Sequence, residues 1–215
     1  MFHLSTAHND VHHATRRESH LYLVTAPAVE PVTLEEVKTH ARIDYPDHDE
    51  QLTSLIKVAR EKLDGRDGVL NRALVQQTWD WKLRCFFDRT IDLPMPPLRS
   101  IVSVKYLDTA RVLQTLSPSL YQVFGADRWG PAELRPASAS SWPLIGDDPE
   151  AVTIRLICGY PPSSAEPPDY RVNVPETVKL AINIMVAAWY ENREAPGVIP
   201  DSVGELLAGY RVDWF

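Results

Sequence analysis

Proline punctuates this chain more heavily than glycine does, eighteen residues against nine, the reverse of the usual order in globular proteins. The pyrrolidine ring fixes φ and removes a backbone donor, so each proline must lie between elements or in a first helical turn. The prolines gather at Pro27/Pro31, Pro94/Pro96/Pro97, Pro131/Pro136/Pro143/Pro149, Pro161/Pro162/Pro167/Pro168 and Pro196/Pro200. Only short elements fit between these breaks. The pattern predicts an α+β protein with stiff connections.

Within that frame, the hydrophobic period changes twice. Residues 1–26 hold five of the seven histidines (His3, His8, His12, His13 and His20) and few large apolar side chains before Leu21-Tyr22-Leu23-Val24. His8 and His12 stand one helical turn apart, the spacing of a zinc pair. With no cysteine or carboxylate set to complete a site, the segment reads as a flexible, solvated arm. Thr33-Leu34-Glu35-Glu36 is a capping box opening a first helix that should run to Tyr45-Pro46. Asp47 or Asp49 should cap a second helix, about Glu50 to Leu63, with Leu52, Leu55, Ile56, Ala59 and Leu63 on one face. Gly65 suits its end, and a helical turn over Val69 to Leu74 is expected next.

From Thr78 to Cys85 apolar and polar residues alternate, the signature of a half-buried strand. Ile91–Leu93, Ile101–Leu107, Val112–Leu116, Tyr121–Phe124, Glu133–Arg135 and Ala151–Cys158 extend the series, so about 76–160 reads as a small antiparallel β unit. Thr78–Cys85 and Ala151–Cys158 should share one sheet. Helix resumes at Pro175, suited to a first turn, and runs to about Glu191 with Val178, Ala181, Ile182, Met185 and Trp189 in one stripe. Ser202-Val203-Gly204-Glu205 is a second capping-box pattern, opening a short helix that ends near Gly209.

Several function classes drop out. No apolar run approaches the roughly 20 residues needed to cross a bilayer. The opening segment lacks a basic region followed by an apolar core, so export is not expected. With 22 basic and 29 acidic residues the net charge is −7, against a free-standing nucleic-acid binder, whose affinity comes largely from neutralising phosphates. Cys85 and Cys158 are too few for a disulfide framework or a four-cysteine zinc site, and the cytoplasm is the default compartment. No GxGxxG, P-loop, HExxH, CxxC or GxSxG motif is present. Asp47-His48-Asp49-Glu50 lacks the glycine and spacing of a calcium loop. The residues therefore point to no catalytic centre, no cofactor and no metal. A small hydrolase or transferase whose site is assembled from scattered residues is the competing reading.

Aromatic residues weigh the other way. Trp189-Tyr190, at the end of the long helix, suits core or interface. Trp214-Phe215 closes the chain, and two large aromatics at an end that normally frays imply burial against their own subunit or a partner.

Taken in order, a set of motifs resembles a known family. They are Pro31-Val32-Thr33-Leu34-Glu35-Glu36-Val37-Lys38, the acidic Asp44 to Glu50, Leu52 to Ala59 with Arg60-Glu61, and Leu74-Val75-Gln76-Gln77-Thr78-Trp79. Leu93-Pro94-Met95-Pro96-Pro97-Leu98 and Val102-Ser103-Val104-Lys105-Tyr106-Leu107-Asp108 follow. The set closes with Val152 to Tyr160, Val174-Pro175-Glu176 and Trp189-Tyr190-Glu191-Asn192-Arg193-Glu194. Over about residues 27–210 the chain resembles the tailed-phage head–tail connector (adaptor) proteins of long-tailed phages, prophages and gene transfer agents. The histidine-rich arm lies outside the resemblance.

The resemblance implies a structural virion protein, not an enzyme, located in the virion neck and assembled in the bacterial cytoplasm. It implies a ring of copies, typically twelve, that docks on the portal protein, extends the DNA channel and presents a surface to the next neck or tail protein. An acidic chain is compatible with that place, since a duplex must slide past without sticking. The expected organisation is a flexible arm (1–26), a helical connector body (27–75 plus 170–209), an inserted small β unit (76–160) and a C-terminal docking tail (210–215). Tyr210, Arg211, Val212, Asp213, Trp214 and Phe215 are the expected portal-interface residues, with Trp189 and Tyr190 as further interface candidates.

Overall fold

The computed structural model describes residues 19–87, 89–128, 130–138, 140–192 and 197–212. They form two compact units, one within residues 27–76 and 159–212, the other within 19–26 and 77–158.

In the first unit, α1 (Leu34–Ala41) opens with the expected capping box: Thr33 Oγ1 accepts from the Glu36 amide, and Glu36 reaches back to the Thr33 amide at 2.6 Å. The helix stops short of Tyr45. Arg42 is left-handed (φ 56°), and Ile43 donates back to the Lys38 carbonyl at 3.0 Å. This is a Schellman closure with arginine where glycine is usual. Ile43 is buried just past it, so the apolar contact of the motif ends the helix without a glycine to announce it.

Helix α2 (Asp49–Leu63) buries Leu52, Ile56, Ala59 and Leu63 as the pattern required. Its cap is different from the one expected. His48 is the capping residue and makes no side-chain cap bond, while Asp49 lies inside the helix and accepts from Lys38 Nζ at 2.7 Å. An ion pair to α1 has taken the carboxylate that a cap would use.

The helical turn expected over Val69 to Leu74 is replaced by a loop folded back on the end of α2. Val69 and Leu70 donate to the carbonyls of Lys62 and Leu63, and Gly65 donates to the Arg72 carbonyl. These bonds satisfy carbonyls that a helix end leaves open. A Cβ on Gly68 would stand 2.3 Å from the Asp64 carbonyl oxygen, so only glycine fits this approach. Inside the loop, the buried Asp64 carboxylate accepts from the Leu74 amide at 2.9 Å.

Helix α3 (Glu176–Glu191) buries Val178, Ala181, Ile182, Met185, Val186 and Trp189, and forms the core with α1, α2 and α4 (Asp201–Leu207). The Ser202–Glu205 capping box does not form. Pro200 precedes the first turn, with no side-chain cap bond, and a 3-10 turn over Ala208–Tyr210 follows. The cap position falls on Pro200, two residues before the expected serine, and the helix begins at Asp201.

The second unit is β. The described strands are β1 (Ser19–Thr25), β2 (Gln77–Leu83), β3 (Ile91–Leu93), β4 (Leu98–Leu107), β5 (Leu113–Leu116), β6 (Tyr121–Phe124), β7 (Ala132–Pro136) and β8 (Val152–Cys158). Five form an antiparallel sheet in the order β1-β2-β8-β4-β5, and three form a second in the order β3-β7-β6. As expected, the two strongest sequence strands share a sheet. They pair directly, from Gln77 opposite Cys158 to Leu83 opposite Val152, and both bury alternate residues.

The architecture is therefore mixed α+β, but the β part exceeds the small insertion expected. The expected arm also ends in a strand, since Ser19–Thr25 pairs with β2. Its apolar run gave no alternation to read because Leu21 alone is buried, while Tyr22, Leu23 and Val24 remain exposed at the sheet edge.

Candidate assembly surfaces

The C-terminal segment is held from the side of the α2 loop. Tyr210 packs against the helical core. Val212 donates to the Leu70 carbonyl at 3.1 Å, and its own carbonyl accepts from Asn71 Nδ2 at 2.9 Å. Asn71 is left-handed (φ 51°), a conformation asparagine tolerates better than most residues. Arg211, between them, is exposed. Asp213, Trp214 and Phe215 lie outside the described residues.

Trp189 is buried, and its indole donates to the Val198 carbonyl at 2.7 Å, so it ties α3 to the segment leading into α4. Tyr190 is half-buried. Its hydroxyl is 3.3 Å from that of Tyr45, and the His48 ring sits edge-on to both tyrosines.

The Cys158-Gly159-Tyr160 motif has a structural meaning. Gly159 is left-handed (φ 118°), and a Cβ there would stand 2.5 Å from the Val75 backbone. Beyond it, Tyr160 accepts from Arg72 Nη1 at 2.8 Å in a buried contact. Burial pushes the Cys158 thiol far up from its ordinary value, which removes the thiolate a nucleophile would need. Cys85 falls past the end of β2 and is half-buried. Among the described residues no group of histidine, cysteine and carboxylate side chains could hold a metal ion, and no helix is long and apolar enough to cross a membrane.

Sequence reasoning missed a polar cluster on the β1 side of the five-stranded sheet. Glu150 accepts from Tyr22 Oη at 3.0 Å and from Lys82 Nζ at 2.5 Å, with His20 Nδ1 at 3.7 Å. The Lys82 ammonium holds the Glu150 carboxyl below its usual range, and the carboxylate raises Lys82 in turn. One strand step away, Arg155 forms a two-bond pair with Asp80 at 2.7 and 2.6 Å. Only the strand register could have shown this, because Tyr22, Lys82 and Glu150 are far apart in the chain.

A helical unit with a capping-box first helix, joined in sequence to an antiparallel β unit, defines the class: a mixed α+β protein. Residues 31–83, which span α1, α2, the loop and β2, match the family model described as Phage gp6-like head-tail connector protein. Three solved chains share the fold over most of their length. One, from the virion of a native gene transfer agent particle, is 20% identical and covers 89% of this chain and 95% of its own, with a TM-score of 0.69. Another, from the neck of an empty gene transfer agent particle computed with C6 symmetry, is 20% identical over 90% and 95%, with a TM-score of 0.68. A third, from the neck of a native particle computed with C12 symmetry, is 18% identical over 90% and 95%, with a TM-score of 0.64. No curated protein matches.

Proposed function

We propose that this protein is a head–tail connector: a structural subunit in the neck of a tailed phage or gene transfer agent particle, without catalytic chemistry. The observation that carries this reading is the coincidence of two likenesses. The connector family model falls on α1, α2 and β2, and the fold likeness to neck chains then runs through nine-tenths of the protein. In this reading copies of the chain form a ring, typically of twelve, that docks on the portal protein and receives the next neck or tail protein. DNA passes through the ring without specific recognition, which suits an acidic chain. The helical segments, 27–75 with 170–209, act as the connector body, and the tail 210–215 docks on the portal. Within that tail, Tyr210 and Val212 are engaged with their own subunit, so the docking role falls on the exposed Arg211 and on Asp213, Trp214 and Phe215. Gold-labelled antibody raised against the chain should mark the head–tail junction of purified particles. Label at the tail tip, or none on particles, would overturn the proposal.

A further inference from the structure

Helix α2 is oppositely charged towards its two ends, and each end carries exposed apolar surface. Residues 43–50, which lead into the helix, hold four carboxylates and no lysine or arginine. Asp49 is paired with Lys38, while Asp44, Asp47 and Glu50 are exposed. Among them Tyr45 is 47% exposed, and it is fixed by the contact of its hydroxyl with Tyr190 and by the edge-on His48 ring. Towards the far end the sign reverses. Residues 57–62 hold three cations and one carboxylate. That carboxylate, Glu61, is met by Arg60 at 3.3 Å, and Lys57 and Lys62 are exposed. Val58 lies one turn before Lys62 on the same side of the helix, and Val69 donates its amide to the Lys62 carbonyl. Both valines are exposed, at 36% and 42%.

We infer that the aromatic, acidic end of α2 in one copy docks on the aliphatic, basic end of α2 in a second copy. The two ends stand about 20 Å apart along the helix axis, so one copy cannot close the contact on itself. Opposite charge sets which faces meet, and like ends repel. Tyr45 against Val58 and Val69 supplies the apolar centre that charge alone lacks. Because Tyr45 is already held by its neighbours, little ordering is lost on contact. The contact joins two different faces, so it repeats head to tail and ends when a ring closes. Two antiparallel copies would also satisfy both faces, but they would stop at a pair. The choice of the ring rests on the connector reading, while the two faces belong to the helical unit itself.

Asp44→Lys with Asp47→Lys reverses the acidic end, and Lys57→Glu with Lys62→Glu reverses the basic one. All four positions are exposed, so both variants should keep the wild-type circular dichroism spectrum. In sedimentation of the full chain over a concentration series, the wild type should form species larger than a pair, and fewer of them as salt rises. Either variant alone carries like charge on both faces and should associate about tenfold more weakly or worse. Their equimolar mixture sets opposite charges at every contact and should regain the association. Tyr45→Ala should weaken association without any charge change. A wild-type chain that stays monomeric or stops at pairs, variants that associate like it, or a mixture that stays apart would each overturn the inference. Incorporation into particle necks separates it from the connector reading. Reversed variants that enter necks alone as the wild type does would remove this contact and leave the connector. A chain absent from necks would remove the connector and leave the sedimentation result to decide the contact.

Discussion

Val212 is held more firmly than its place so near the end of the sequence suggests. Two hydrogen bonds to Leu70 and Asn71 fasten it, and Tyr210 packs on the core just before it. Truncation after Val212 keeps that clasp and should therefore leave the melting temperature within about 2 °C of the full chain. Truncation after Gly209 removes the clasp as well and should cost about 1–3 kcal/mol. If portal attachment falls with the shorter cut and melting does not, docking belongs to Asp213, Trp214 and Phe215. Unchanged attachment would end that assignment. Gly68 offers a sharper test of the loop beneath. With a backbone oxygen 2.3 Å from the would-be Cβ, Gly68→Ala should destabilise by about 2 kcal/mol or more, measurable by urea unfolding. The thiols should matter far less: Cys85→Ser with Cys158→Ala should leave particle assembly intact, apart from a packing loss of about 1–3 kcal/mol at the buried position. Loss of assembly in a folded double variant would point to thiol chemistry.

Elements were legible where a local rule sufficed. Thr33 and Glu36 form their capping box because both partners lie within one turn, and β2 and β8 alternate because one face of each is buried. Legibility failed where distant partners decide. Arg42 accepts a left-handed conformation because Ile43 buries, Asp49 leaves its cap for Lys38, and β1 hides in a histidine-rich segment because an edge strand buries so little. The Glu150 cluster is the same case, since nothing local joins it to Tyr22 and Lys82. It also gives β1 a pH dependence. Glu150 is lowered in the folded chain, so its contribution is present above the ordinary glutamate value of about 4.3 and is lost as pH falls through the folded value. Lys82 is raised, so its contribution is present below its ordinary value and fades only as alkaline pH passes the folded one. The protection of the β1 amides, taken relative to intrinsic exchange at each pH, should therefore fall on acidification below about pH 4.3. Glu150→Gln should show the lower protection already at neutral pH and lose the acid step. An acid step that survives in the variant would assign it to another carboxylate.

At the scale of the molecule, the α+β class and the connector resemblance followed from motif order, while the extent of the β part did not. Eight described strands, several of only three to five residues, leave little periodicity each, and their pairing is a property of register rather than of composition. The proposed function puts the work of this chain at its surfaces. The central claim is that those surfaces join a head to a tail. Electron microscopy of particles made by cells lacking this chain tests it most directly. The account predicts heads and tails that accumulate separately, with joined particles restored when the chain is supplied again. Normally joined, tailed particles made without it would contradict the account.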